Sequence, residues 1–198
     1  YLVKLLSLFE SEHDYWVIAE RGHEARDNGY AFYKYMKKEH PEIKVYYLIT
    51  KNSPDFNRIS KDDVLIYGSY QHYFRCVNCQ AIISTHTYLF FENCFYRLYK
   101  LLRLKPIIVF LQHGITKDLM PFYFKNNNYV DLFITAANKE YNYILENYGY
   151  TSENVKCTGF ARYDSLENDI SENTILIMPT WRQYYSKYND YEFTNTAY

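Results

Sequence analysis

The residues of this chain that offer chemistry follow directly on an apolar run. Residues 107–111 (IIVFL) are β-branched, short and bounded by Pro106, which reads as a buried strand. Gln112, His113, Gly114, Ile115, Thr116, Lys117 and Asp118 come next. An imidazole delivered to the carboxyl end of a strand is a candidate general base, and Gly114 lets a substrate come close to the backbone. Other polar groups hold equivalent positions after apolar runs: Glu20-Arg21, His86, and Thr180 with Arg182. In open α/β sheets ligands sit beyond the carboxyl ends of the strands, so Glu20-Arg21, His86 and His113 are expected to converge on one crevice. Each also has a plainer reading. Glu20-Arg21 can be a structural ion pair, and His86 and His113 can be histidines that only hydrogen-bond a neighbouring loop.

The elements that must position these groups alternate along the chain. Strands are expected at 14–20, 43–50, 64–67, 81–85, 107–111, 131–136 and 155–158. Helices are expected over 27–40, ended by Pro41; over about 69–78, capped by Ser69; and over 138–147, capped by Asn138 and closed by Gly149. Strand and helix alternating at this spacing predict an α/β fold, a Rossmann-like doubly wound parallel sheet. The stretch 167–173 (ENDISEN) is polar and linker-like, and a new strand is expected at 174–178. The expected division is a first domain over 1–166, then 167–198 as a linker with the first strand and loop of a second domain.

Composition excludes some partners. The 198 residues carry a formal charge of −1, so there is no basic excess of the kind that binds a phosphate backbone, and no nucleic-acid partner is expected. Four cysteines stand at 76, 79, 94 and 157. The lone C-x-x-C of Cys76 and Cys79 has no second pair at zinc-site spacing and reads as two positions on one helix face. A zinc site from His86, His113 and a cysteine lacks any ligand pair at short spacing, so no metal is expected. No apolar run approaches the roughly 18–20 residues of a membrane span, and the start of the sequence lacks a secretory pattern. In the stretch 88–105, however, Arg97, Lys100 and Arg103 recur every third residue among Phe90, Phe91, Phe95 and leucines. That pattern suits a helix lying at an anionic bilayer surface, or an ordinary packing helix.

Taken in order, Glu20-Arg21, Ala25-Arg26-Asp27-Asn28-Gly29, the motif from Leu111 to Asp118, the turn from Thr158 to Leu166 (TGFARYDSL), and Met178-Pro179-Thr180-Trp181-Arg182 form an ordered set. With these motifs the chain resembles the CDP-glycerol glycerophosphotransferase family, the teichoic-acid primases and polymerases and related capsule polymerases, over about residues 14–182. The resemblance implies the N-terminal, acceptor-side half of a GT-B architecture, with no cofactor. It implies transfer of glycerol phosphate from CDP-glycerol to a lipid-linked glycerol-phosphate acceptor, at the cytoplasmic face of the plasma membrane and peripheral to it. His113 matches the family's base. Glu20, Arg21, Asp27, Asn28, His86, Gly114, Lys117, Asp118, Arg162 and Asp164 are then expected at the substrate, and Thr180 and Arg182 at the donor phosphates. Arg162 and Asp164 can instead brace the linker, and Lys117-Asp118 can be a helix-start pair. Two other functions stay open: a noncatalytic module that docks acceptor or membrane, and a GT-B glycosyltransferase that uses a nucleotide sugar.

Overall fold

The structure, a computed structural model, describes residues 14–87 and 106–166 together with Ile175 and Ile177. Seven strands form one sheet: β1 (Tyr15–Ala19), β2 (Lys44–Ile49), β3 (Val64–Ile66), β4 (Ala81–Ser84), β5 (Ile107–Phe110), β6 (Leu132–Thr135) and β7 (Val155–Cys157). Their order is β3-β2-β1-β4-β5-β6-β7 and every pairing is parallel. The doubly wound sheet expected from the alternation is therefore the one observed. The strand order reverses at β1, which lies between β2 and β4, so the polar residues after β1, β4 and β5 belong to three adjacent strands.

Among the described residues three helices flank the sheet: α1 (Asn28–Glu39), α2 (Tyr70–Asn78) and α3 (Asn138–Asn147). Asp27 caps α1, its carboxylate accepting the Asn28 N–H, and Ser69 caps α2 by accepting the His72 N–H at 3.1 Å. At α3 the cap differs from expectation. Ala137 is the N-cap and Asn138 is already helical. Among the described residues no side chain caps the first N–H groups of α3; Glu140 instead reaches back to the residue before the cap, its Oε2 accepting the Ala136 N–H at 2.7 Å. Gly149 ends α3 at φ 75°, the left-handed geometry that closes a helix.

Alternate strand residues go to opposite faces. One face carries Val17, Leu48, Leu65 and Ile82 with α2 residues Cys76 and Val77, and farther along Ile108, Phe110, Phe133 and Val155 with Ile144 and Tyr148. The other carries Ile18, Val45, Tyr47, Ile83 and Ile134 with Tyr33 and Met36 of α1. On that second face an apolar trough of about 820 Å³ runs over β4, β5 and β6, lined by Ile83, Val109, Leu132 and Ile134 and flanked by Phe32 and Phe160. Cys76 and Cys79 are buried at the end of α2, and burial pushes both thiols well above the ordinary range.

Residues Tyr1–Leu166 form one compact unit and Glu167–Tyr198 a second. Of the strand expected at 174–178 only Ile175 and Ile177 are described, and Thr180, Arg182 and the basic stretch with Arg97, Lys100 and Arg103 lie outside the described residues.

Candidate functional site

The carboxyl ends of β1, β4 and β5 deliver Arg21, His86 and His113 to one place. His86 is 5% exposed. Arg21 Nε donates to His86 Nε2 at 3.2 Å, so Nε2 is an acceptor and the ring proton sits on Nδ1, 2.9 Å from Thr85 Oγ1. Burial, then the charges of His113 and Arg21, hold the His86 pKa down at about 3, and the ring is neutral.

His113 stacks on that neutral ring, with 4.3 Å between centroids and 11° between planes. Its Nδ1 lies 3.0 Å from the Thr85 carbonyl oxygen. A carbonyl can only accept, so Nδ1 carries the proton and Nε2 carries the lone pair. The ring is half-buried, and among the described residues nothing is bonded to Nε2. That is the tautomer and the opening a general base requires. Ser84 steadies the loop beneath, its Oγ donating to the His86 carbonyl at 2.7 Å and accepting the His86 N–H at 3.0 Å.

The first helix start is filled from within. Glu20 is 1% exposed, and its carboxylate accepts the N–H groups of Arg26, Asp27 and Tyr30 at 2.8, 2.8 and 2.7 Å. Burial raises its pKa while those three bonds pull it back down. Anions favour helix N-termini, and here the protein's own carboxylate takes the place a substrate phosphate would need. Gly29 makes this possible, because a Cβ there would stand 2.9 Å from Glu20 Cγ and 3.0 Å from the Ala19 carbonyl oxygen.

Asp27, Asn28 and Arg162 meet beside it. Arg162 Nη1 lies 2.5 Å from Asp27 Oδ1, and the guanidinium packs over the rings of Phe160 and Tyr163. Asn28 is fully buried between the Gln112 carbonyl and the Arg162 N–H. The expectation that Glu20 and Asn28 contact substrate thus gives way to bracing, because their polar atoms are engaged with backbone and closed to solvent. Arg162 does brace the turn and remains half-buried, whereas Asp164 lines the apolar trough.

Lys117 and Asp118 form a largely exposed pair at 3.8 Å, and both follow His113 in a pinned loop. Thr116 N–H donates to Glu140 Oε1 at 2.7 Å, and the Tyr148 hydroxyl donates to the Asp118 carbonyl at 2.8 Å. At Gly114 an added Cβ would meet nothing within 4 Å, so the backbone there faces open space. Thr85, Gln112 and Glu140 shape the site without having been expected there. Glu140 at the third position of α3 had a capping signal in the sequence; the roles of Thr85 and Gln112 had none. Among the described residues no group of three His, Cys, Asp or Glu could hold a metal, and no helix is long and apolar enough to cross a membrane.

The family model described as CDP-Glycerol:Poly(glycerophosphate) glycerophosphotransferase matches residues 4–197. The Minor teichoic acid biosynthesis protein GgaB of Bacillus subtilis (strain 168) is 36% identical over 173 residues, which make up 85% of this chain and 19% of that protein. Structures of the Wall Teichoic Acid Polymerase TagF match at TM-scores of 0.56 and 0.59 with 12% and 14% identity, each over 82% of this chain and 43% of theirs. A third, soaked with CDPG, matches at 0.57. At that identity the likeness to TagF is one of fold. The chain spans less than half the length of each of these relatives.

Proposed function

Because this chain belongs to the CDP-glycerol:poly(glycerophosphate) glycerophosphotransferase family, we propose that it is the acceptor-side half of a GT-B enzyme that extends a teichoic acid or capsule polymer. Residues 1–166 form that half, and 167–198 begin the nucleotide-binding half. The donor is CDP-glycerol, and the acceptor is a lipid-linked glycerol-phosphate chain presented at the cytoplasmic face of the plasma membrane. Arg97, Lys100 and Arg103 draw the protein to the anionic surface.

The observation that carries the reading is the orientation of His113, with Nδ1–H on the Thr85 carbonyl and Nε2 left as acceptor. The acceptor hydroxyl oxygen attacks the phosphorus that bears the donor's glycerol. Its proton passes to His113 Nε2, the new P–O bond forms, and the P–O bond to CMP breaks. Such a transfer depends on alignment and charge neutralisation more than on covalent help. Arg21, exposed and bonded to the edge of the His86 ring, suits a phosphate of the acceptor chain, as do Lys117 and the Gly114 backbone. Thr180 and Arg182 serve the donor diphosphate from the other half. The filled start of α1 supports this division, since it leaves no free helix N-terminus at the first strand for the diphosphate.

The test is CMP release by the full-length protein, supplied with CDP-glycerol and vesicles carrying the primed lipid acceptor. Release that requires both supports the reading. Transfer from a nucleotide sugar with none from CDP-glycerol makes it a glycosyltransferase, and binding of acceptor vesicles without any turnover makes it a docking module.

A further inference from the structure

The residue ahead of His113 is held in a conformation that its own side chain disfavours. Gln112 has φ 60°, and among the described residues it is the one non-glycine with positive φ. Left-handed backbone is disfavoured for such a residue and persists only where its surroundings impose it. Gln112 is 2% exposed. Its Oε1 accepts the His113 N–H at 3.1 Å, and its Nε2 donates to Thr116 Oγ1. Its carbonyl accepts Asn28 Nδ2 at 2.8 Å. The other end of the Asn28 amide, Oδ1, accepts the Arg162 N–H at 3.1 Å.

One buried amide therefore joins three loops that lie 84 and 134 residues apart in sequence: the start of α1, the turn after β5 and the turn after β7. The geometry requires a short planar group with a donor on one side and an acceptor on the other. Among side chains of this size only asparagine has both, since aspartate would set a second acceptor against the Gln112 carbonyl.

We propose that Asn28 is a positioning residue for His113: by grasping the Gln112 carbonyl it imposes the turn that lays the imidazole on His86 with Nδ1 at Thr85. The geometric part stands on the bonds alone; its catalytic consequence rests on the base role proposed above. Misplacement of a reacting group by a fraction of an ångström to one ångström costs about 10–100-fold in rate.

The test is Asn28→Asp, which keeps the shape and the acceptor but removes the donor. In ¹⁵N-detected spectra of the histidine side chains, the unmutated chain should show His113 as the Nδ1–H tautomer and the variant a mixture of tautomers. In the full-length protein kcat should fall about 10–100-fold with KM for the donor within threefold. A folded variant that keeps the single tautomer overturns the proposal, whatever its turnover. A displaced tautomer in a full-length protein whose unmutated form has no transferase activity leaves the positioning intact and removes only the reaction. If Asn28→Asp does not fold, the scalar coupling across the Asn28 Nδ2–H to Gln112 carbonyl bond in the unmutated chain decides: its detection supports the clasp, and its absence overturns it.

Discussion

The imidazoles of His86 and His113 lie face to face, 4.3 Å between centroids and 11° from parallel. The lower ring is locked neutral by burial and by Arg21 on its Nε2, and the upper ring takes its tautomer from the Thr85 carbonyl. The pair is thus asymmetric: one histidine is a platform and the other holds an available lone pair.

The platform makes stability depend on pH. His86 has a folded pKa of about 3 against 6.5 for the ordinary side chain. Between those values the unfolded chain binds a proton that the fold refuses. The stability from neutral His86 is therefore complete above about pH 6.5 and is lost as pH falls towards 3. Between pH 7 and pH 5 this amounts to about 2 kcal/mol. Urea unfolding at both pH values should show His86→Asn losing about that much less than the unmutated chain over the same interval. Equal losses would contradict a buried neutral His86.

The packing of α1 against the carboxylate beneath it gives a second expectation. Alanine is a better helix residue than glycine by about 1 kcal/mol, yet a Cβ at Gly29 would press on Glu20 Cγ and on the Ala19 carbonyl at 2.9 and 3.0 Å. Backbone cannot yield as a flexible side-chain tip does, so packing wins. Gly29→Ala should lower Tm by about 2–8 °C, whereas Gly114→Ala, with open space around it, should shift Tm by less than about 2 °C. A rise in Tm for Gly29→Ala would show that the helix start is not packed in this way.

Glu20→Gln tests the internal anion directly. Glutamine has one oxygen where the carboxylate uses two, so its NH₂ must face at least one of the N–H donors of Arg26, Asp27 and Tyr30. The expected cost is about 1–3 kcal/mol, read from urea unfolding at pH 7. An unchanged midpoint would place the carboxylate elsewhere.

The thiols should separate by burial. Cys76 and Cys79 are enclosed and their thiols are pushed up, while Cys157 is exposed. Site-resolved mass spectrometry after alkylation at pH 8 should find Cys157 modified at least about 100-fold faster than either buried thiol. Comparable rates would mean that α2 does not pack as described.

Much of this architecture is written in local patterns. The β-branched runs at 81–85 and 107–111 identify strands of the sheet, and the polar residues after them identify its carboxyl edge. Spacing does not say which way a polar side chain turns once it is there. Glu20 and Asn28 turn inward, because the orphan N–H groups of α1 and the strained carbonyl of Gln112 need partners that only the folded arrangement brings near. Asn138 misleads because asparagine is among the best caps, yet here it is already helical and Ala137 stands at the cap with no side-chain bond, while Glu140 holds the loop N–H groups of Ala136 and Thr116. The left-handed turn at Gln112 has no sequence signal at all, since glycine or asparagine is the residue such a turn favours.

The central claim is that His113 Nε2 removes the proton from the attacking hydroxyl. It is tested most directly by the rate of acceptor-dependent CMP release from CDP-glycerol in the full-length protein carrying His113→Ala. A fall of about 10²–10⁴-fold in kcat, with KM for the donor within threefold, is the predicted result. Retention of more than about a tenth of the unmutated rate would contradict it.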